Sequence, residues 1–273
     1  MIYFLSFYTE GPDIDGCLDL SDNAQEVKKR LSKYFDDMFL FTKTTLKKLP
    51  GTENICNVFE EETQFVNGNK LGYFDFKPFL IGYTLSKIPE NSLLIYHDLN
   101  FNKYPSYWNT DWHNIRSISE KLLNDNDSDF WVKFELHNCF VKNFVKTYTI
   151  DYFFENPVEN RIVKNSHLFN AGQIIMRNTK FTRDFISDWI KFCENKELLK
   201  SSPNPNPDPE SKMIGCQEQD VMNCLIYRLI LDGKLRPEFP IYSFNWRTIR
   251  MDNYYLLKNE QIINYLNHSE YIK

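Results

Sequence analysis

A buried strand that ends in polar side chains constrains the fold of this chain more than any other feature. The apolar residues 93–96 (LLIY) are followed directly by residues 97–100 (HDLN). Side chains alternate between the two faces of a strand, so Asp98 and Asn100 are predicted to point the same way while Leu99 turns toward the protein. In α/β sheets, ligands bind beyond the carboxyl ends of the strands. The stretch therefore predicts a ligand site there, with two oxygen donors suited to a hard divalent cation.

Strand-like and helix-like patterns alternate along the chain and predict an α/β fold with a mainly parallel sheet flanked by helices. Predicted strands cover residues 2–8, 38–41, 92–97, 130–134 and 167–176. The first predicted helix begins at residue 21, and four more cover residues 76–88, 113–123, 181–192 and 219–231. Ser21 or Asp22 is expected to cap the first helix, and Pro89 to stop the second. The section 135–165 is expected to mix strand and loop.

Composition narrows the classes of protein that this chain can belong to. Its 273 residues are 42% hydrophobic, enough to bury a large core, and the net charge of −5 argues against a nucleic-acid partner. The apolar first residues of the chain are followed closely by Glu10 and Asp13, so this segment is predicted to be a strand and not a signal peptide. No apolar run approaches the roughly 20 residues of a membrane span. The protein is therefore expected to be soluble and cytoplasmic, of bacterial or viral type.

The six cysteines are scattered without a Cys-x-x-Cys pair, which predicts reduced, mostly buried thiols and no zinc site. No internal repeat is present, and the Pro/Asn/Ser-rich stretch 200–212 is too short to separate two domains. A single domain over residues 1–273 is therefore predicted.

Two further motifs follow the strand that ends at Asp98. Residues 169–172 (FNAG) lie in a predicted strand, where a glycine allows close approach to a ligand or simply relieves packing. Residues 218–220 (EQD) open a predicted helix. Acidic residues favour a first helical turn for electrostatic reasons, which explains Glu218 and Asp220 but not Gln219.

With these three motifs in this order, the chain resembles the GT-A class of nucleotide-sugar-dependent glycosyltransferases. It is most similar to the retaining, glycogenin-like and galactosyltransferase-like branch, from the first strand to His268. The resemblance implies one GT-A domain with a Rossmann-like sheet, a donor-binding half at about 1–110 and an acceptor and sugar half at about 111–273. The implied reaction moves a sugar from a nucleoside diphosphate sugar, UDP- or GDP-linked, to a hydroxyl acceptor on a glycan.

The resemblance also implies a divalent cation, Mn²⁺ or Mg²⁺, that bridges the donor diphosphate and neutralises the negative charge growing on the leaving group. Asp98 fits the first position of the family's Asp-x-Asp pair. Asn100 replaces the second carboxylate by an amide, so weaker metal binding is expected. A C-terminal histidine often completes the metal shell in this branch, and His268 stands at the corresponding place. His97 is predicted to point to the opposite face of its strand.

The same resemblance assigns roles to residues of both halves. The further donor-binding candidates are Ser6, Phe7, Tyr8, Thr9, Lys77, Asn170, Ala171 and Gly172. Tyr8 would stack on the base, although an aromatic at a strand end is commonly part of the core. Lys77 would reach the donor phosphates or ribose, its alternative being a solvated surface lysine. Glu218 would bind sugar hydroxyls, and Gln219 would lie near the anomeric carbon on the face away from the leaving group.

Two alternatives stay open. Gln219 favours retention, but an inverting transferase would use Glu135 or Asp220 to deprotonate the acceptor hydroxyl. The substitution at Asn100 also fits a GT-A-like protein that binds glycans without catalysis.

Two other segments are assigned to the acceptor side and to closure of the site. Trp246 and Arg247 are the acceptor-side candidates, because exposed aromatic rings can stack on sugars. The 200–212 loop is predicted to order when the donor binds.

Overall fold

The protein is described here by a computed structural model that covers residues 1–9, 20–55, 74–99, 101, 108, 110–125, 127–134, 140–199 and 217–235. Within these ranges, five strands form one sheet in the order β2-β1-β3-β5-β4. The strands are β1 (Ile2–Phe7), β2 (Asp37–Phe41), β3 (Leu93–His97), β4 (Phe130–Phe134) and β5 (Phe169–Arg177). β1 is parallel to β2 and β3, whereas β5 is antiparallel to both β3 and β4. Only β5 therefore runs against the other four, which confirms the predicted mixed, mainly parallel sheet.

Helices cover both faces of the sheet. The described helices are α1 (Ser21–Leu31), α2 (Lys43–Leu46), α3 (Phe76–Leu85), α4 (Ile115–Asp125), α5 (Val141–Phe144), α6 (Thr147–Phe153), α7 (Pro157–Lys164), α8 (Lys180–Cys193), α9 (Lys196–Leu199) and α10 (Glu218–Leu231). On one face, α3, α8 and α10 pack with Leu5, Leu94 and Ile174 in one core cluster. On the other, α1 and α4 pack around Phe4 and Ile95, the alternate residues of the same strands.

The prediction for residues 135–165 is wrong where the structure describes them. Residues 140–165 contain the three short helices α5, α6 and α7, not strand. β-branched and aromatic residues are frequent here and suggested strands, but packing of α6 and α7 against α10, and of α5 against α7, overrides that preference. The Asn156 side chain accepts a hydrogen bond from Val158 N–H, and Pro157 opens α7, so a recognisable helix start was present in the sequence.

Two predicted helix boundaries also need correction. The N-cap of α1 is Leu20, and neither Ser21 nor Asp22 caps it with a side chain. Helix α3 ends at Leu85, before the predicted residue 88. The reason is the buried Asn178 side chain, whose Nδ2 donates to the carbonyls of Leu85, Ile88 and Pro89 at 3.0, 2.9 and 3.2 Å. A residue from beyond β5 therefore closes this helix, which local sequence does not reveal.

The direction of β5 places the site. β5 is antiparallel to β3, so its first residues lie beside the carboxyl end of β3. Its pairing with β4 is irregular: Val132 is opposite Ile174, but the next residue, Lys133, is opposite Asn170. Such a bulge leaves backbone groups of the longer strand without ladder partners and is frequent beside active sites. The first residues of β5 are thus available for contacts other than strand pairing.

Among the described helices, none is long and apolar enough to cross a membrane. Two of the six cysteines, Cys193 and Cys224, lie in the described ranges, and both are buried free thiols. Burial raises the pKa of each thiol well above its ordinary value. For these two residues the prediction of reduced, buried cysteines is confirmed.

Candidate active site

Asp98 is held in place by three hydrogen bonds just beyond the end of β3. Its backbone N–H donates to Gly172 O at 2.8 Å, and its carbonyl oxygen lies 2.7 Å from His97 Nδ1. Its Oδ1 accepts from the Tyr96 hydroxyl at 2.8 Å. The side chain is nevertheless 38% exposed. Asp98 thus combines a fixed orientation with access to solvent, as a ligand-binding carboxylate requires.

A buried ion pair lies beside Asp98. Lys77 Nζ is 2.8 Å from Glu218 Oε1 and 3.8 Å from Asp98 Oδ1, and the Lys77 and Glu218 side chains are only 7% and 3% exposed. Lys77 belongs to the first turn of α3, and Glu218 is the first residue of α10. The alternative that Lys77 is a solvated surface lysine is therefore wrong. A buried lysine needs such a partner, because an unpaired charge in the interior is strongly unfavourable.

Both helices of this ion pair begin after a strained residue. Phe74, shortly before α3, and Gln217, the N-cap of α10, each have a φ of 55°. Positive φ is unfavourable for side chains other than glycine, and residues in such conformations cluster at functional sites.

The bulge in β5 brings the FNAG motif, residues 169–172, to the same place. Ala171 N–H donates to Gln219 Oε1 at 2.8 Å, and Gly172 N–H donates to Asn170 Oδ1 at 2.7 Å. A Cβ atom at Gly172 would lie 2.8 Å from Asp98 Oδ2 and 2.9 Å from Asn170 Oδ1. The glycine is therefore required by the close approach of these two side chains. The three motifs predicted from the sequence are in mutual contact.

Burial dominates the electrostatics of this cluster. It raises the pKa of Glu218 from 4.5 to about 7; the charges of Asp98 and Asp220 also raise it, and Lys77 opposes the shift. Burial raises the pKa of Tyr96 well above 10, with the charge of Asp98 adding to the effect. The Tyr96 hydroxyl therefore keeps its proton and serves as a donor.

The raised pKa of Glu218 predicts a pH-dependent stability. In the folded state this carboxyl holds its proton to about pH 7, whereas in the unfolded chain it ionises near 4.5. Its contribution is complete below pH 4.5 and is lost as the pH rises through 7, by up to about 3 kcal/mol. Urea unfolding from pH 4.5 to 7.5 should show this decline in the wild type and a smaller one in Glu218→Gln. Parallel curves for the two proteins would mean that Glu218 titrates normally.

The four candidates at the end of β1 have different surroundings. The buried Ser6 hydroxyl donates to His97 O at 2.6 Å and thus joins β1 to the end of β3. Phe7 is stacked on Phe76 at a centroid distance of 4.1 Å and is mostly buried. Thr9 is also buried, and its carbonyl accepts from Leu20 N–H. Tyr8 is half-buried and is the most exposed of the four. As the most exposed of the four, Tyr8 stays the candidate for stacking on a base.

The remaining catalytic candidates on α10 differ in accessibility. Gln219 is half-exposed, and its Oε1 is bound to Ala171 N–H. Asp220 is fully buried, and its Oδ2 accepts from Lys146 N–H at 3.2 Å. Asn223, one turn later, binds both the N–H and the carbonyl of Phe169. The first turns of α10 are thus fastened to the start of β5.

Several predicted residues lie outside the described residues. They are Asn100, Glu135, Trp246, Arg247, His268 and the 200–212 loop.

The described residues fit a hard cation in the kind of donor they offer. Asp98 Oδ2 and Asn170 Oδ1 both lie within 3 Å of the position that a Gly172 Cβ would take, at 2.8 and 2.9 Å. Carboxylate and amide oxygens are ligands that Mg²⁺ and similar ions prefer. Within the described ranges, no group of three His, Cys, Asp or Glu side chains is placed to hold a metal. Further ligands would have to come from elsewhere in the chain or from a bound diphosphate.

Sequence reasoning missed Tyr96, which proved to be a direct contact of Asp98. The signal was available, because residues two apart on a strand share a face. His97, by contrast, was predicted to face away from the Asp98 side chain, and it does so: its ring contacts Phe101 and Trp112 on the other side of the sheet.

No family model and no curated protein matches this chain. Among solved structures, it is similar to mouse xyloside xylosyltransferase 1 in its apo form, with a TM-score of 0.40 and 16% sequence identity over 82% of this chain and 81% of that one. Since this TM-score is below 0.5, a functional proposal has to be supported by the residues of the site.

Proposed function

We propose that this chain is a GT-A glycosyltransferase that transfers a sugar from a nucleoside diphosphate sugar to a hydroxyl acceptor. The observation that carries the proposal is the convergence on Asp98. This carboxylate is partly exposed and fixed by three hydrogen bonds, and it lies beside the close approach at Gly172 and the buried pair of Lys77 and Glu218. The cluster lies at the carboxyl end of β3, where α/β sheets bind nucleotides.

The charge of the cluster supports a metal-assisted donor site. Above pH 7, where Glu218 is ionised, Asp98 and Glu218 carry two negative charges and Lys77 one positive charge, which leaves an excess of one negative charge. A diphosphate is itself anionic, so binding beside these residues needs additional positive charge. We propose that Asp98 holds Mn²⁺ or Mg²⁺, with Asn170, Asn100 and His268 as further candidate ligands. When bound, such an ion stabilises the negative charge of the departing diphosphate.

The protein's own groups would bind and orient the sugar. We propose that Glu218, fixed by Lys77 and by the bond from Trp189 Nε1 to its carbonyl at 2.8 Å, holds Lys77 beside Asp98; its side chain is 3% exposed, so it binds sugar hydroxyls only when its ion pair with Lys77 opens. Gln219 is fixed by Ala171 N–H, so its amide group stays next to the FNAG segment. Preorganised polar groups of this kind need no rearrangement when the reaction proceeds.

We propose retention of the anomeric configuration. An inverting reaction requires a base that contacts the acceptor hydroxyl, and Asp220, one of the two candidates, is buried against Lys146 N–H. The half-exposed Gln219 remains available on the donor side. NMR analysis of the product anomer would decide between retention and inversion. An inverted product would favour Glu135 as the base that deprotonates the acceptor hydroxyl.

Calorimetric titration with UDP and with GDP, each with and without MnCl₂, tests the donor site. We expect one of the two nucleotides to bind, and to bind more tightly with manganese than without it. A panel of nucleotide sugars without acceptor should then release free sugar slowly. If neither nucleotide binds in either condition, the proposal is wrong. If nucleotide binds but no nucleotide sugar is ever cleaved or transferred, the chain is a binding protein and not an enzyme.

A further inference from the structure

The Asp98 side chain has one close hydrogen-bond donor among the described residues. The Tyr96 hydroxyl is 2.8 Å from Asp98 Oδ1, whereas Lys77 Nζ is 3.8 Å from the same oxygen and 2.8 Å from Glu218. Tyr96 is 2% exposed, so its ring is fixed in the core. A rigid donor of this kind sets the rotation of the carboxylate, because Oδ1 must stay within reach of the hydroxyl.

The backbone of Asp98 is fixed independently of Tyr96. Asp98 N–H donates to Gly172 O, and the Asp98 carbonyl contacts His97 Nδ1. In the tautomer with the proton on Nδ1, His97 donates to this carbonyl, and its Nε2 accepts from Gln173 Nε2 at 2.8 Å. The two contacts hold the imidazole between β3 and β5. Loss of the Tyr96 hydroxyl would therefore leave the Asp98 backbone in place and free only its side chain.

The orientation of the carboxylate determines which oxygen faces the site. Oδ1 is directed to Tyr96 and Lys77, on the buried side. Oδ2 lies on the Gly172 side, 2.8 Å from the position that a Cβ of residue 172 would occupy, where Asn170 Oδ1 is 2.9 Å from the same position. Rotation of the carboxylate would move Oδ2 away from the position that it shares with Asn170 Oδ1 beside Gly172.

We propose that Tyr96 is a positioning residue that holds Asp98 with Oδ2 toward the nucleoside diphosphate, an inference that rests on the proposed function. Tyr96 acts through Asp98 and not on the ligand itself, since its ring is buried. Its phenolic hydroxyl is the functional part, and the ring belongs to the core that contains Leu94 and Ile174.

The test is Tyr96→Phe, which removes the hydroxyl and keeps the ring. The matched control is Tyr3→Phe on the neighbouring strand β1. Tyr3 is a buried residue whose hydroxyl donates to Met1 Sδ at 3.3 Å, away from the site. Affinity for the binding nucleotide, UDP or GDP, is measured by calorimetry with and without MnCl₂. Tyr96→Phe should weaken the manganese-dependent affinity about tenfold, the usual size for a hydrogen bond to a charged group. The affinity without manganese, and all affinities of Tyr3→Phe, should stay within twofold of wild type.

A double-mutant cycle separates positioning from a general structural effect. In an Asp98→Ala background, Tyr96→Phe should have no further effect on nucleotide affinity, because the carboxylate through which it acts is gone. An equal loss in both backgrounds would assign Tyr96 a structural role and overturn the inference. Wild-type affinity in Tyr96→Phe, with Asp98→Ala strongly impaired, would overturn the inference and leave the proposed function intact. Unchanged nucleotide affinity in Asp98→Ala itself would contradict the proposed function.

Discussion

Replacement of Asp98 by alanine is expected to lower sugar transfer or donor hydrolysis by on the order of a thousandfold. It should also abolish the manganese-dependent part of nucleotide affinity. The reason is that Asp98 supplies the exposed carboxylate of the cluster, while Glu218 is buried and paired with Lys77. Turnover at saturating donor and calorimetric titration of the nucleotide measure the two effects. The fold should survive, because the Asp98 side chain is 38% exposed and contributes little to the core.

Two variants make this result interpretable. Asp98→Asn keeps the size of the side chain and an oxygen for the Tyr96 hydroxyl but removes the charge, so most of the loss should remain. Asp151→Ala removes an exposed carboxylate that contacts Lys164 and Asn160, away from the Asp98 cluster, and its turnover should equal that of wild type. If Asp98→Ala retained both turnover and nucleotide affinity, the site would have been assigned to the wrong residues.

Gly172→Ala is the second substitution with a large expected effect. The new methyl group would lie 2.8 Å from Asp98 Oδ2 and 2.9 Å from Asn170 Oδ1, closer than such atoms can approach. Both side chains must then move, and a shift of about 1 Å at a reacting centre reduces turnover about a hundredfold. We expect this loss in kcat/KM for the donor, with an unfolding midpoint close to that of wild type because Asp98 can swing toward solvent.

Gly82→Ala provides the control for adding a methyl group. At this position in α3 the new Cβ would lie 3.1 Å from Ile186 and Ile190 of α8, within the core and away from Asp98. It should alter the free energy of unfolding by about 1 kcal/mol and leave the turnover of the folded protein unchanged. Equal turnover of Gly172→Ala and wild type would show that the close approach at Gly172 has no role in donor binding.

Local sequence patterns were sufficient for the strands and for locating the three motifs that the fold brings together. The apolar run before Asp98 predicted β3 because a strand buried on both faces has to be apolar throughout. Residues 130–134 were predicted as a strand with the bounds of β4, and the helix at 219–231 differs from α10 by one residue. Each of these elements carries its own period of hydrophobicity, which is a local property.

The predictions from sequence patterns were wrong where tertiary contacts decide the local structure. α5, α6 and α7 are rich in residues that favour strands, yet they are helical: α6 and α7 pack against α10, and α5 packs against α7. The end of α3 depends on Asn178, which belongs to the segment after β5. In both cases the deciding partner is distant in sequence.

The sequence by itself determined the order of the five strands and the five longest helices, the carboxylate at the end of β3, and the small and polar residues of the FNAG and EQD motifs. Tertiary structure alone decided that Lys77 is paired with Glu218, that Tyr96 orients Asp98, and that Gly172 lies against the Asp98 carboxylate. These contacts depend on the reversed direction of β5 and the bulge in its pairing with β4. Strand direction and register result from packing of the whole sheet, so a pattern read along one segment does not contain them.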